Sequence, residues 1–436
     1  MFAETRIADC LDVNDQGHLT IGGCDTVELA ARFGTALYVM DEVEIRRACR
    51  RYTKSIAENY GGNGLVAYAS KAFSCKEMYR LVNQEGMGID VVSGGELYTA
   101  LSVGFPADKI LFHGNNKTVE ELSYALRENV GRIVVDNIYE LDLLNQLAIS
   151  ADKTANILFR IKPGVEAHTH EFIKTGAIDS KFGFALETGE ALAAVKKALT
   201  LSNINLLGVH CHIGSQIFDI APFRLAAEVM LTFMAKVKDE MGHVIKELNL
   251  GGGFGIKYLP EHNPVAYEEY MRDISAVIKD TCAEKGLEMP FIIMEPGRSI
   301  VGSAGITLYK VGGIKEIPGV RTYVSVDGGM TDNPRYALYQ AAYDMLLANK
   351  AGQPKNTTVT VAGKCCESGD LLGENVPLQE AAVGDVLAVL ATGAYNYSMA
   401  SHYNRIPKAA VVMVNNGEAR VIINRETWED TARSDV

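Results

Sequence analysis

The stretch LVAYASKAF, residues Leu65–Phe73, joins a short apolar run to a lysine. Leu65–Ala69 has the length and the apolar composition of a buried strand, and Lys71 follows it almost directly. Burying an unpaired ammonium group is costly, so a lysine at the end of a buried strand tends to lose its proton. A neutral lysine amine is a nucleophile toward carbonyl carbons. The stretch therefore predicts a strand that carries a buried, reactive lysine at its carboxyl end.

Seven further apolar runs follow along the chain, separated by segments with helical periodicity. The eight candidate strands are Leu65–Ala69, Ile89–Val92, Ile110–Phe112, Ile133–Val135, Ile157–Ile161, Leu206–Cys211, Glu247–Leu250 and Phe291–Met294. Between them, Val119–Arg127 and Phe223–Met241 have apolar residues at helical spacing, which is typical of helices packed on a core. Strands that alternate with helices indicate parallel βα units, and eight such units predict a closed (β/α)8 barrel.

The chain changes character after about Ser303, where the helical periodicity fades. Short β-like runs separated by glycines follow, namely Ile306–Tyr309, Thr322–Val326, Thr358–Ala362, Asp385–Leu390 and Ala409–Val414. This pattern predicts a second, mostly-β domain, and LTIGG (Leu19–Gly23) has the composition of a strand that could join its sheet. We therefore predict an α/β protein with a TIM-like barrel over residues 36–303 and a β-rich domain from residues 1–35 and 304–436.

The composition and the charge of the chain narrow the classes of function. It has 436 residues, of which 47% are hydrophobic, and its formal net charge is -12 with no basic tract. This charge argues against nucleic acid and anionic membranes as partners. The N-terminal segment MFAETRIADC carries no apolar signal core, and the eight cysteines are scattered, so we expect a reducing, cytoplasmic location.

Polar and glycine residues gather where the candidate strands end. The residues concerned are Lys71, Asp90 with Ser93–Glu96, His113–Lys117, His212–Gln216, Gly251–Gly255 and Glu295–Arg298. The strands of a parallel barrel all end at one rim, and barrel enzymes have their active sites at that rim. The sequence therefore predicts one site to which six of the eight strands contribute.

The residue types at this rim favour particular ligands. Three glycines after a strand let backbone N–H groups converge on an anion, although Gly251–Gly253 could also form a simple tight turn. Glu295 suits a basic ring nitrogen and Arg298 suits a phosphate or a carboxylate, although the two could also form a local salt bridge.

Two histidines on the sixth candidate strand are further candidates. His210 and His212 alternate with Cys211, so both imidazoles point to the same side of the strand. A Cys/His metal site would need a third ligand pattern, which does not accompany them, so we expect no metal. His212, at the end of the strand, suits a flat ring packed on a cofactor, whereas His210 fits the core and the site equally well.

These features together predict pyridoxal 5'-phosphate. A reactive lysine would bind it as a Schiff base, the glycine turn would bind its phosphate, and an acid and a flat ring would contact its pyridine. The competing interpretation is a Schiff-base aldolase barrel without a cofactor. Such an enzyme would need neither the phosphate site nor a partner for a ring nitrogen, and it would need no β domain.

Several motifs resemble one known family. YASKAF, HIGSQ, NLGGGFG and EPGRS are similar to the barrel-type (fold type III) pyridoxal-phosphate decarboxylases, which share their fold with alanine racemase. Ornithine and arginine decarboxylases share these motifs but match the later segments less well. The later segments resemble the diaminopimelate decarboxylase family: HTHEFIKTGAIDSKFG (His168–Gly183), GGMTDNPRYALYQA (Gly328–Ala341), CCESGD (Cys365–Asp370) and GAYNYSMAS (Gly393–Ser401).

The resemblance implies a reaction and the residues that serve it. The reaction is the decarboxylation of meso-2,6-diaminopimelate to L-lysine and CO2, the last step of lysine biosynthesis. Lys71 would carry the cofactor as a Schiff base and Cys366 would donate a proton. Cofactor contacts are implied for His212, Ser215, Gly251, Gly252, Gly253, Glu295, Arg298 and Tyr395. Substrate contacts are implied for Arg298, Arg335, Tyr339, Glu367 and Tyr395.

The resemblance also implies an assembly. In the family the CES segment enters the active site of the neighbouring subunit, which implies a homodimer with shared active sites. Two other classes stay open. A racemase of the same fold would need a tyrosine base where this chain has Cys366, and a non-catalytic homologue would be expected to lack Lys71 or Cys366.

Overall fold

A computed structural model describes residues 6–165 and 180–436 of the chain. The motif His168–Gly183 therefore lies outside the described residues except for its last four positions. The chain forms two compact units. The first, called the barrel unit here, comprises Cys49–Gly255 and Pro264–Gly297, and the second, called the β unit, comprises Met1–Ala48, Ile256–Asn263 and Arg298–Val436.

The strands and helices are numbered in chain order. The strands are β1 Leu11–Val13, β2 Leu19–Ile21, β3 Cys24–Asp25, β4 Leu37–Asp41, β5 Gly64–Ala69, β6 Gly88–Val91, β7 Ile110–Phe112, β8 Arg132–Val135, β9 Ala155–Lys162, β10 Phe184–Ala185, β11 Ile204–His210, β12 Glu247–Asn249, β13 Phe291–Met294, β14 Gly305–Ile317, β15 Arg321–Val326, β16 Met345–Leu347, β17 Thr357–Ala362, β18 Leu371–Leu378, β19 Val386–Val389, β20 Ala410–Asn415 and β21 Glu418–Ile423. The described helices are α1 Thr26–Phe33, α2 Glu42–Tyr60, α3 Lys76–Gln84, α4 Gly94–Leu101, α5 Val119–Arg127, α6 Ile138–Ser150, α7 Glu190–Ala198, α8 Ala221–Met241, α9 Tyr267–Lys285, α10 Arg298–Val301, α11 Arg335–Tyr339 and α12 Trp428–Ala432.

The barrel unit is a closed ring of parallel strands, as the sequence predicts. The order around the ring is β5, β6, β7, β8, β9, β11, β12 and β13, and β13 pairs with β5 to close it. All eight predicted runs are strands of this ring, and the short β10 pairs with β9 beside it. Apolar side chains fill its interior, among them Ala67, Leu111, Val134, Leu158 and Ile293. Closure sends the carboxyl ends of all eight strands to one rim.

The two helices singled out in the sequence are confirmed. Helix α5 has the predicted bounds, and a capping box between Thr118 and Glu121 fixes its start. Helix α8 begins two residues before the predicted Phe223, and its apolar stripe is buried. None of the helices within the described ranges has the length and the apolar composition needed to cross a membrane.

The β unit contains the mostly-β sheet that the C-terminal runs predict. Its main order is β18, β17, β15, β14, β4, β20 and β21; β19 also pairs with β14, and β16 pairs with β19. An N-terminal strand joins this sheet, but the expectation that LTIGG supplies it is wrong. Strand β2 pairs instead with β1 and β3 in a small separate sheet. The joining strand is β4, whose five residues are all buried between β14 and β20. A fully buried strand suits the centre of a sheet, whereas the LTIGG run ends in a turn at Gly22.

Candidate active site

Lys71 lies where the sequence places it, directly after β5 at the rim of the barrel. It sits in a short 3-10 turn, Ser70–Ala72, whose Ser70 N–H donates to Asp90 Oδ1 at 3.2 Å. The Ala69 N–H donates to the Pro296 carbonyl at 3.0 Å, which ties this turn to the end of β13. The expected burial of Lys71 is wrong, because the side chain is exposed in the single chain. The strand ends at Ala69, and the turn directs the lysine out of the packed interior.

The glycine turn after β12 is required by close packing. A Cβ added at Gly252 would lie 2.1 Å from the Glu295 carbonyl oxygen, and one added at Gly253 would lie 2.4 Å from the Gly214 carbonyl oxygen. Gly251 and Gly253 also have positive φ angles of 67° and 113°, which favour glycine. The turn therefore has no side chains, and its backbone packs closely between the segments that follow β11 and β13.

Glu295, directly after β13, is buried and held by three donors in the barrel unit. His113 Nε2 and Asn249 Nδ2 donate to Oε1 at 2.7 and 2.8 Å, and His210 Nε2 donates to Oε2 at 3.1 Å. Although burial alone would raise the pKa of Glu295, the two histidines hold it well below its usual value. Burial lowers the pKa of His113, and it lowers that of His210 to about 4. The site therefore contains a carboxylate between two neutral imidazoles.

His212 follows β11 and is half-buried beside the glycine turn. The Gly252 N–H donates to His212 Nδ1 at 3.3 Å. Burial, together with the charges of Lys71 and Arg160, lowers the pKa of His212 well below its usual value. The ring is therefore uncharged and suits stacking on a flat ligand. Ser215 lies half-buried three residues further along the same loop.

A cluster of cations and aromatic rings lies in the β unit. The guanidinium carbons of Arg298 and Arg335 lie 4.7 and 5.1 Å from the centroid of the Tyr395 ring, and Arg335 also lies 5.3 Å from the Tyr339 ring. Tyr395 has a φ of 69°, a left-handed conformation that is rare for an aromatic residue. Among the described residues the buried Nε of Arg335 has no hydrogen-bond partner, so this group can still donate to a bound anion. The cluster can bind a carboxylate.

The two neighbouring cysteines of the β unit differ in their surroundings. Cys366 and Glu367 are exposed in the single chain. The Cys366 N–H donates to Asn404 Oδ1 at 2.8 Å. The N–H of Cys365 donates to Asp370 Oδ2 at 2.7 Å, and burial and that carboxylate raise the pKa of Cys365 to about 12. Cys365 is therefore a poor proton donor.

Several residues of the site have no role assigned from the sequence. Asp90 is buried, and burial and the nearby Glu295 charge raise its pKa well above the usual value. Asn249 and His113 contact Glu295, and the Tyr258 hydroxyl accepts from Arg298 Nη1. Strand register could have indicated Asn249, because it pairs directly with His210 on β11. Tyr258 lies in a loop with no recognisable signal.

The barrel unit fits pyridoxal phosphate better than a metal ion. The ligand atoms of His113, His210 and Glu295 lie within 4.8 Å of one another, as a metal site would require. Both imidazoles, however, already donate to the carboxylate at hydrogen-bond distances. A buried carboxylate suits a protonated ring nitrogen, the bare turn suits a phosphate, and an exposed amine at the rim suits an aldehyde.

Comparison with known protein families shows which class of enzyme this chain belongs to. Residues 42–302 match the family described as "Pyridoxal-dependent decarboxylase, pyridoxal binding domain". The barrel, the mostly-β unit and this match together define a pyridoxal-phosphate-dependent decarboxylase.

The relatives narrow the class further. The diaminopimelate decarboxylases of Bacillus subtilis (strain 168) and Bacillus methanolicus are each 52% identical to this chain, over 97% and 95% of it and 96% of their own lengths. A solved diaminopimelate decarboxylase from M. jannaschii, in complex with L-lysine, is 40% identical, with a TM-score of 0.90 over 98% of both chains. The chain therefore belongs to the diaminopimelate decarboxylases and is a carboxy-lyase that uses pyridoxal phosphate.

Proposed function

We propose that the chain converts meso-2,6-diaminopimelate into L-lysine and CO2, the last step of lysine biosynthesis. The observation that carries the proposal is the convergence of Lys71, the glycine turn and Glu295 at one rim of the barrel unit, joined by the hydrogen bonds Ala69 N–H to Pro296 carbonyl and Glu295 N–H to Gly251 carbonyl. The M. jannaschii relative with bound L-lysine supports this choice of product.

The residues of the barrel unit are proposed to hold the cofactor. Lys71 binds it covalently through Nζ, and Gly251–Gly253 with Ser215 bind its phosphate. His212 packs its neutral ring on the pyridine, and Glu295 accepts from the ring nitrogen. Bound pyridoxal phosphate supplies a protonated ring that accepts the electron pair left by a departing CO2.

The residues of the β unit are proposed to select the substrate. Arg298, Arg335 and Tyr339 bind a carboxylate, Tyr395 contacts cofactor and substrate, and Glu367 binds the distal amine; Arg298 also contacts the cofactor. A guanidinium binds a carboxylate with two parallel hydrogen bonds, which a lysine ammonium cannot reproduce. L-lysine lacks the distal carboxylate, so as a substrate it would leave a partly buried arginine without its partner, which disfavours it strongly.

Cys366 is proposed to supply the proton that replaces the lost carboxylate. The substrate carbon loses CO2 and gains one proton from the thiol, and the resulting thiolate takes a proton back from water. The exposure of Cys366 and Glu367 in the single chain supports a homodimer in which this segment enters the partner's site.

Two further proposals concern the domains and the location. The match over residues 42–302 supports residues 36–303 as the cofactor-binding domain, with residues 1–35 and 304–436 as the β-rich domain. Within the described ranges no disulfide joins two cysteines, which is consistent with the proposed reducing cytoplasm.

One assay tests the reaction. Purified full-length protein with pyridoxal phosphate and meso-diaminopimelate should release CO2 and L-lysine in equal amounts, whereas L-ornithine in parallel should release far less CO2. Epimerised diaminopimelate without CO2 would show a racemase instead, and no reaction at all would show a non-catalytic homologue.

A further inference from the structure

The carboxylate of Glu295 is fixed by donors from three separate barrel strands. His113 lies just beyond β7, His210 ends β11 and Asn249 ends β12, whereas Glu295 itself follows β13. All four side chains are buried, and the exposed fractions of the Glu295 and His210 side chains are only 5% and 1%. These four residues are far apart in sequence, so they meet only in the closed barrel.

The hydrogen-bond count leaves one acceptor position open on this carboxylate. A carboxylate has about four lone-pair positions, two on each oxygen. Within residues 6–165 and 180–436, Oε1 accepts from both His113 and Asn249, whereas Oε2 accepts from His210 alone. The remaining position therefore belongs to Oε2. Among the described residues His210 Nδ1 has no hydrogen-bond partner, which fits a neutral imidazole whose single proton is on Nε2.

We propose that His113, His210 and Asn249 are positioning residues that fix Glu295 as a carboxylate, with Oε1 fully occupied and one acceptor position of Oε2 directed to the cofactor's ring nitrogen. This inference rests on the proposed function of Glu295 as the partner of that nitrogen. Nε2–H groups and an amide suit the task because they donate without carrying a positive charge, so they do not cancel the attraction between the carboxylate and a pyridinium.

Asn249 links the hydrogen bonds around Glu295 to the glycine turn. Its Nδ2 donates to Glu295 Oε1, and its Oδ1 accepts from the Gly251 N–H at 2.8 Å. One amide therefore fixes both the carboxylate proposed for the ring nitrogen and the first residue of the turn proposed for the phosphate. A displacement of either group is transmitted to the other through a side chain that has no exposed surface.

The ionised state of Glu295 depends on its neighbours. Among the described residues, the titratable and charged groups that interact with it are Asp90, His113, Arg160, His210, Cys211 and His212, and Lys71 interacts in turn with Asp90 and His212. His113 and His210 hold the pKa of Glu295 well below its usual value, first through their electrostatic interaction and then through their donated hydrogen bonds, against the opposite effect of burial. If those bonds were lost, burial would prevail and the pKa of Glu295 would rise, as is documented for other buried carboxyl groups.

The test measures the dissociation constant of pyridoxal phosphate on the full-length chain, after removal of bound cofactor, in H113L, H210L, H113Q and H210Q. Leucine removes the donor, whereas the glutamine amide still donates. We expect the leucine variants to bind about tenfold to hundredfold more weakly and the glutamine variants to stay within about threefold of the unaltered protein. H243Q is the matched control, because His243 lies in the loop after α8, where its Nε2 contacts the Leu206 carbonyl at 3.3 Å.

The pH dependence separates positioning from general structural damage. As the pH falls from about 9 to about 6, the ratio of the leucine variants' dissociation constants to that of the unaltered protein should increase, because their Glu295 becomes protonated. A ratio that does not change with pH, or glutamine variants as weak as the leucine variants, would overturn the inference. If a leucine variant does not fold, the glutamine variants decide by themselves: a tenfold or pH-dependent weakening of their cofactor binding would overturn the inference. Cofactor affinity does not depend on which amino acid is decarboxylated, so this outcome is distinct from that of the CO2 assay.

Discussion

Two buried carboxyl groups of the barrel unit interact with each other and have pKa values shifted in opposite directions. His113 and His210 lower the pKa of Glu295, whereas Asp90 accepts one backbone N–H and has a raised pKa because of burial and the Glu295 charge. Environments that separate the pKa values of two neighbouring acids are typical of active sites. The two shifts favour different roles, since the lowered pKa suits Glu295 to accepting a hydrogen bond from a cation, whereas the raised pKa of Asp90 favours its protonated form.

Lys71 is the residue on which covalent cofactor binding depends. In the Lys71→Ala variant no amine remains at the end of β5, so borohydride treatment followed by denaturation should leave no pyridoxyl group on the chain. Absorbance of the denatured protein near the pyridoxyl band measures this. Lys76→Ala, which removes an exposed lysine at the start of α3, should retain the group in full. A Lys71→Ala protein that still carried the label would show that another lysine binds the cofactor.

Cys366 and Cys365 form a matched pair for testing the proton donor. Cys366→Ala should lower the turnover rate by about 10²- to 10⁴-fold, the usual contribution of a general acid. Cys365→Ala should change it little, because burial and Asp370 raise the pKa of Cys365 to about 12 and keep its proton in place. Steady-state rates of CO2 release measure both, and equal losses in the two variants would contradict the assignment.

At the scale of elements, the glycine turn after β12 is defined by the backbones on both sides of it. An alanine Cβ at Gly252 would lie 2.1 Å from the Glu295 carbonyl oxygen, which is backbone and cannot move aside alone. Gly252→Ala should therefore shift the turn away from Glu295 and lower the cofactor content of the purified protein by more than about tenfold. The absorbance of the bound cofactor measures this content.

Gly312 provides the control for that change. It lies in β14, and a Cβ added there meets no atom within 4 Å among its neighbours. Gly312→Ala should therefore keep the full cofactor content. If Gly252→Ala also kept it, the turn would not be the phosphate site.

Local sequence patterns predict the elements of this chain well and their partners less well. The eight barrel strands follow from short apolar runs separated by helical segments, because each such run is buried on both faces of a parallel sheet. The composition of LTIGG predicts the wrong sheet because pairing partners depend on distant residues: β4 lies between β14 and β20, which come far later in the chain. The apolar run before Lys71 predicts the wrong burial for that lysine because one 3-10 turn changes the direction of its side chain.

The same limit applies to the site. Motifs at the strand ends place Lys71, His212, Gly251–Gly253 and Glu295 in the barrel unit, because barrel closure makes all strand ends neighbours. The donors that fix Glu295 come from three other strands; the strand-end pattern includes His113 without giving it a role, and no local pattern distinguishes Asn249 from ordinary core residues. The strand register pairs Asn249 with His210, and the hydrogen bond of His113 to Glu295 appears only in the folded barrel.

At the scale of the whole molecule, stability should depend on Asp332 of the β unit. Burial raises the pKa of its carboxyl group from 3.8 to about 7, and the neighbouring Asp327 and Asp370 add to the shift. Between these two values the folded chain binds more protons than the unfolded chain, so the free energy of unfolding should fall as the pH rises from about 4 to about 7, by at most about 4 kcal/mol. Asp332→Asn should remove this contribution of Asp332 to the pH dependence of the unfolding free energy. Asp12→Asn, which changes an exposed residue, should not. Urea unfolding at several pH values measures it, and an unchanged slope in Asp332→Asn would mean that another group titrates.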